Sequence, residues 1–490
     1  MRTRRDHRSY AAIAAWIALN ATVNAATYWV ATDGSDSNAG TSNAPFATPQ
    51  KAVTLSTLAP GDTIYLRGGT YALTSAVKPK KPGAPDNYFK LWAYPGERPV
   101  FDFSGATGVF KAVDIRTNYW HVKGIEVAHA TDNGIFVASI GNIIEGCVIH
   151  DCDNDGLTLG STTLRATNAL ILNCDSYRNF QTNSSGNNGD GFSAKSGCGP
   201  GNVFRGCRAW DNADDGWDFY DNNVPVVLEN CWAMTAGFDH WGVGGSFSGN
   251  GNGFKLGGEG TVAEHHLTNC VAIGNRSKGF DHNNGNAGQT MVNCTSYNNN
   301  VDFSFYETPS GGTLLHNVLI NNVAFGGTLT NLAANSVQVS NSWQGFTVNT
   351  ADFASLDTSV ATATRNADYS LPITRLLRLA AGSDLIDRGV NVGLPFNGNA
   401  PDLGAFESGS SGGDARQIEC DASSTLRFTN GGFNVRATGF TSHGAVVLYV
   451  SSNLTSWAPI LTNPATTGAS QFLDASATSR PLSFYRVEEK

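Results

Sequence analysis

The chain has 490 residues, 15% of them charged, with 55 glycines and a formal net charge of −9. That acidic balance argues against a general nucleic-acid or anionic-membrane surface, and the length accommodates one large domain plus a small one. Helix formers are scarce and turn formers abundant, which predicts an all-β chain of many short strands.

In chain order, Arg2, Arg4, Arg5 and Arg8 precede an apolar run from Ala11 to Val23, followed by the small-x-small pattern Val23-Asn24-Ala25. This reads as a secretory signal peptide over residues 1–25. The mature protein is therefore expected outside the cytoplasm by bacterial-type export, whether secreted, periplasmic or surface-attached. No later segment approaches 18 consecutive apolar residues, so no membrane span is expected. Residues 26–53 and 61–71 read as the entrance to a solenoid, whose open end needs a cap over its strand edges.

From residue 141 onward a sentence repeats. Cys147, Cys174, Cys207, Cys231, Cys270 and Cys294 recur at intervals of 24 to 39 residues. Each follows a short apolar strand and precedes another, commonly with an Asn five residues on (Asn179, Asn212, Asn275, Asn299). Self-similarity at this period without helical periodicity signals a solenoid, and strand-rich rungs mean a parallel β-helix. The cysteines then stack as a buried column of reduced thiols, each packing as a small hydrophobe. The competing reading is a disulfide at Cys147–Cys152 or at Cys198.

A second phrase recurs downstream of most cysteines: NGIFV, DGLTL, DGFSA, DGWDF, NGFKL and KGFDH. The residue before each Gly forms one column: Asn133, Asp155, Asp190, Asp215, Asn252, Lys278. Two residues past each Gly lies another: Phe136, Thr158, Ser193, Asp218, Lys255, Asp281. Equivalent positions of parallel rungs stack at roughly 4.8 Å, so Asp190 belongs beside Asp215, and Lys255 one rung from Asp218. Trp217 aligns with Phe192 and Phe254, which predicts a core-facing aromatic stack. Rungs are expected to about residue 345, with the solenoid domain closing by residue 407. Residues 408–414 read as a linker, and residues 415–490 as a small β-sandwich-like module.

Asp190, Asp214, Asp215 and Asp218 match a hard cation, and Ca²⁺, which takes 6–8 oxygens in loose geometry, suits them better than Mg²⁺. The blander reading, an Asp that caps a rung turn, is preferred for Asp155. Lys255 beside a divalent ion would have its pKa lowered from about 10.4 towards neutrality and so become a proton acceptor. A cation plus a base suits β-elimination on a uronate: the metal acidifies the proton next to the carboxylate and the lysine removes it. A paired-carboxylate hydrolase would instead need one acid kept protonated, a task for which ion-bound aspartates are poorly suited.

The segments 187-NNGDGFSAKSG-197, 211-DNADDGWDFYDN-222 and 252-NGFKLGG-258 together resemble polysaccharide lyase family 9, pectate-lyase-like proteins with a right-handed parallel β-helix. The resemblance covers roughly residues 27–407. It implies that Asp190, Asp214, Asp215 and Asp218 are calcium ligands, that Lys255 is the catalytic base, and that the partner is an acidic polysaccharide met by a monomer. Pectate (polygalacturonate) is the expected substrate and rhamnogalacturonan the alternative. A non-catalytic carbohydrate-binding β-helix with structural calcium is the competing class, and Lys255 is what separates it from an enzyme. Lys195, Arg208, Arg276 and Lys278 are the basic candidates for neighbouring subsites, each against the alternative of a solvated charge. The insertion 237-GFDHWGVGGSF-247 is expected to shape the groove.

Overall fold

A computed structural model describes residues 25–258, 260–306, 317–329, 332–409 and most of 419–489. All but the last residue of the expected signal peptide, and residues 410–414 of the expected linker, lie outside the described residues. Three parallel sheets of twelve, ten and nine strands make a right-handed β-helix, as the repeat predicts. Among the described residues no helix is long and apolar enough to cross a membrane.

The local cause of the winding is a pair of left-handed turns in each rung. The residue before each column cysteine has positive φ: Gly146, Asn173, Gly206, Asn230, Asn269 and Asn293. So does the residue four past it: Asp151, Arg178, Asp211, Thr235, Gly274 and Asn298. Gly and Asn occupy this region at least cost, so the three-residue strand between the two turns is redirected at both ends. The Asn five past the cysteine then ties rungs together. Asn179 Nδ2 donates to Asn212 Oδ1 at 2.9 Å, and Asn275 Nδ2 to Asn299 Oδ1 at 2.8 Å.

The chain divides into two compact units. The first, Met1–Val227 with Met234–Ala263 and Asn283–Gly285, carries the early rungs. After the strand Thr27–Val30 comes the short helix Pro49–Val53, where Thr48 Oγ1 accepts from the Lys51 N–H at 3.2 Å and Ala52 and Val53 are fully buried. Cys147, Cys174 and Cys207 are buried and unbridged here, each thiol donating to a main-chain carbonyl such as Ile144 O for Cys174, at 3.4 Å. Burial pushes the Cys174 thiol well up, which keeps it protonated. Cys152 and Cys198, the candidates for a disulfide, are also buried and free, and burial pushes both thiols up to about 12.

Within this unit the nine-stranded sheet runs in strict register. Leu157 pairs with Phe192, Phe192 with Trp217 and Trp217 with Phe254. These inward side chains stack: Trp217 lies 4.8 Å from both the Phe192 and the Phe254 ring centroids and is fully buried. With Trp217 in the core, the alternate positions must point outward, and these are Thr158, Ser193, Asp218 and Lys255.

The second unit, Leu228–Ala233, Glu264–His282 and Asn286–Lys490, holds Cys231, Cys270 and Cys294, likewise buried and outside any disulfide, and later strands as far as Val337–Val339. Two antiparallel sheets of four and three strands lie within residues 419–489. Val435, Ala437, Val446, Leu448, Phe472 and Val487 form their core.

Candidate active site

Asp190, Asp214, Asp215 and Asp218 are buried together, and each offers an oxygen within 4.8 Å of those of the others. Their second oxygens explain how burial is tolerated. In the column of residues before Gly, each carboxylate accepts from the main chain one rung on. Asp190 Oδ1 takes the Asp215 N–H at 2.9 Å, and Asp215 Oδ1 takes the Asn252 N–H at 2.7 Å. Asp155 Oδ1 makes the same contact with the Asp190 N–H at 3.4 Å, and its Oδ2 accepts from Thr158 and Ser193; it ties adjacent rungs together rather than capping the turn of its own. Asp218 Oδ1 accepts from the Tyr220 N–H at 2.8 Å. The Oδ1 atoms are thus spent on the scaffold and the Oδ2 atoms of Asp190, Asp215 and Asp218 are left to face the side-chain cations.

Two lysines supply the positive charge. Lys255 Nζ lies 3.2 Å from Asp215 Oδ2 and 3.3 Å from Asp218 Oδ2, and 5.5 Å from the Tyr220 ring centroid. Lys195 Nζ lies 2.6 Å from Asp190 Oδ2, 3.2 Å from Asp218 Oδ2 and 3.7 Å from Asp155 Oδ1. Lys195, expected at a neighbouring subsite, therefore belongs to the cluster itself. The signal was present in the sequence: Lys195 is two residues past Ser193, and alternation puts both on the outer face.

The charges do not balance. If all four cluster carboxylates ionise, the two ammonium groups, one of them shared with Asp155, leave at least two negative charges in a buried place. Burial, with Asp214 and Asp218 close by, pushes Asp215 up to about 8 despite Lys255. Burial likewise pushes Asp190 well up, against the pull of Lys195. Burial opposes the ionised form of Asp218 too, but Lys195 and Lys255 together outweigh it and hold its carboxyl below the usual range. Lys255 is raised: burial disfavours its ammonium, yet Asp215 and Asp218 overcome that penalty. The carboxylates alone thus work against the lowered lysine pKa expected beside a cation. The set nonetheless fits a divalent ion by donor type, by convergence and by the two uncompensated charges.

The remaining basic candidates lie elsewhere. Arg208 is corrected by its surroundings: it is 1% exposed on the ten-stranded sheet, its Nε and Nη2 donate to Asp175 at 2.9 and 2.8 Å, and its guanidinium carbon lies 5.4 Å from the Trp210 ring centroid. Both Asp175 and Arg208 directly follow a column cysteine, so their pairing across rungs was legible as a register match. In the second unit Arg276 is exposed, and Lys278 Nζ pairs with Asp281 Oδ2 at 2.7 Å. The insertion after Gly237 stacks Trp241 on Phe180 at 4.8 Å, and Asp239 carboxylate oxygens accept from the N–H groups of Trp241, Val243 and Gly244. Tyr220, whose ring flanks Lys255, is a site residue that the repeat did not reveal.

Residues 28–322 match the family model described as Pel9A-like, right handed beta helix region. Pectate lyase L of Dickeya dadantii (strain 3937) is 39% identical over 396 residues, covering 78% of this chain and 90% of that protein. Among solved structures, pectate lyase Pel9A matches with a TM-score of 0.72 at 38% identity, covering 78% of this chain and 96% of that one. A rhamnogalacturonan lyase matches with a TM-score of 0.65 at 25% identity, covering 74% of this chain and 98% of that one. Fold, register and sequence agree: the chain belongs to the Pel9A-like right-handed β-helix family, polysaccharide lyase family 9.

Proposed function

We infer that the protein is a pectate lyase that cleaves polygalacturonate by calcium-dependent β-elimination, outside the cell. The observation that carries the reading is a single outward face on which four buried carboxylates with two uncompensated charges adjoin Lys255. Asp190, Asp214, Asp215 and Asp218 would hold the ion. Bound there, calcium would draw charge from a galacturonate carboxylate, acidify the adjacent C–H and offset the carboxylate field that keeps Lys255 protonated.

The chain's own part is positional. Lys255 is 7% exposed, and its Nζ is fixed by Asp215 and Asp218 rather than free to sample solvent. In the reaction that Nζ accepts the proton from the carbon next to the carboxylate. The C–H electrons become the new C=C bond, the C–O bonding pair leaves with the glycosidic oxygen, and that oxygen takes a proton from solvent, so the two fragments form without net addition of water. Tyr220 packs on the lysine and limits its solvation. Lys195, ion-paired with Asp190 and Asp218, is a second cation suited to a uronate carboxylate.

The test is product formation on polygalacturonate and on rhamnogalacturonan, with calcium and with chelator, read as ultraviolet absorbance of unsaturated ends. Absorbance on polygalacturonate that chelation abolishes is the expected result. Saturated products formed in chelator would reject the lyase reading. Preference for rhamnogalacturonan, the reading favoured by the rhamnogalacturonan lyase match, would change the substrate alone.

A further inference from the structure

Asp214 differs from the other cluster aspartates. It belongs to neither column, so its carboxylate is not held by the column contacts. Two loops hold it instead. From one, the Asn188 N–H donates to Asp214 Oδ2 at 3.0 Å, with Asn188 at the unusual φ of 89°. From the other, Asn250 grips Asp214 Oδ1 twice, through its main-chain N–H and through Nδ2 at 2.7 Å.

The second loop is itself braced. Ser248 donates from its N–H to Ser185 O at 3.0 Å and from Oγ to Ser184 O at 2.7 Å. Gly249 runs so close to the Asp214 rung that a Cβ there would fall 1.8 Å from Ala213 O, so only glycine fits. The Gly251 N–H donates to Asp214 O at 3.1 Å. Asn250 Nδ2 also reaches Asn187 Oδ1 at 3.3 Å, joining the two loops above the carboxylate.

We propose that Asn250 is the positioning residue that sets the cation affinity of the cluster, its side-chain amide adding to the main-chain bonds that hold the one ligand outside the two columns. A carboxylate that must be ordered before it can coordinate binds more weakly, and the groups bonded to metal ligands are commonly worth about 10–100-fold in affinity. Asn250 touches neither Lys255 nor the other three aspartates by any hydrogen bond in the structure. Its contact with the site thus runs through Asp214 alone. This rests on the reading of the cluster as a cation site.

The experiment is calorimetric titration of calcium into full-length wild type, Asn250→Ala and Asn250→Gln without substrate, paired with turnover of polygalacturonate across calcium concentrations. Asn250→Ala should bind calcium about ten-fold more weakly and regain near-wild-type kcat once calcium saturates. Its melting curve in chelator should match wild type, because the main-chain contacts of the loop remain. Unchanged calcium affinity in Asn250→Ala, or a kcat that stays low at saturating calcium, overturns the positioning role alone. Wild type that takes up no calcium overturns the cation-site reading, and this proposal with it. Asn250→Gln, whose amide sits one methylene further out, should recover at most part of the affinity; full wild-type affinity in Asn250→Gln would overturn the requirement that the amide be held at this position.

Discussion

Replacing Lys255 by arginine separates two roles that alanine would confound. Arginine stays protonated at any accessible pH, so it keeps the positive charge opposite Asp215 and Asp218 but cannot accept a proton. Lys255 Nζ lies 3.2 and 3.3 Å from these oxygens and is almost fully buried. A unit charge about 4 Å away at an effective dielectric near 20 is worth about 4 kcal/mol, so deleting the charge outright would redistribute the whole cluster. Losing general-base assistance should cost about 10²–10⁴-fold in turnover. We therefore expect Lys255→Arg to bind calcium within a few-fold of wild type and to lose at least about 100-fold in kcat. Lys255→Ala should lose as much kcat while binding calcium as tightly or more so, since a competing cation has gone. The readouts are ultraviolet absorbance of unsaturated products at saturating calcium and calorimetry without substrate. Turnover within ten-fold of wild type in Lys255→Arg would falsify the base assignment.

Three further outcomes follow from the same geometry. Because calcium would bind only the folded cluster, a calcium concentration 100-fold above Kd should add about 2.7 kcal/mol to stability; urea unfolding curves that coincide in calcium and chelator would contradict this. Trp217→Ala removes the middle ring of a fully buried stack and should cost about 3–5 kcal/mol in chelator, with Trp217→Phe losing much less; equal losses would show that stacking geometry is not what the site rewards. His150 sits between Asp151 at 2.7 Å and Glu126 at 3.1 Å; burial lowers its pKa, but the two carboxylates win and raise it from 6.5 to about 9. A folded pKa above the unfolded one gives stability that is complete below about pH 6.5 and is lost as pH rises through about 9. Denaturation midpoints measured from pH 6 to 10 should show that fall in wild type and a flatter profile in His150→Gln; parallel profiles would remove His150 as its cause.

The sequence by itself determined the fold and most of the site, because a parallel solenoid turns repetition directly into neighbourhood. Once the rungs are aligned, the pairing of Ser193 with Asp218 and of Asp218 with Lys255 follows from counting, and so does the burial of Trp217 between two phenylalanines. The same counting contained the Asp175–Arg208 pair and the outward direction of Lys195. What it lacked was an energy scale for choosing between a groove cation and one already spent on a neighbour. The paired left-handed turns around each cysteine were latent in the recurring Gly or Asn just before it, and backbone angles made them explicit. Tertiary structure alone decided whatever lies off the period. Asp214 sits one residue before its column, and Asn188 and Asn250 stand two residues before theirs on the rungs either side; the alignment places them near one another, but only the structure shows that both turn their N–H groups onto its carboxylate. It also decided the charge balance, since only positions in space bring two lysines and four carboxylates close enough to leave two charges for an ion.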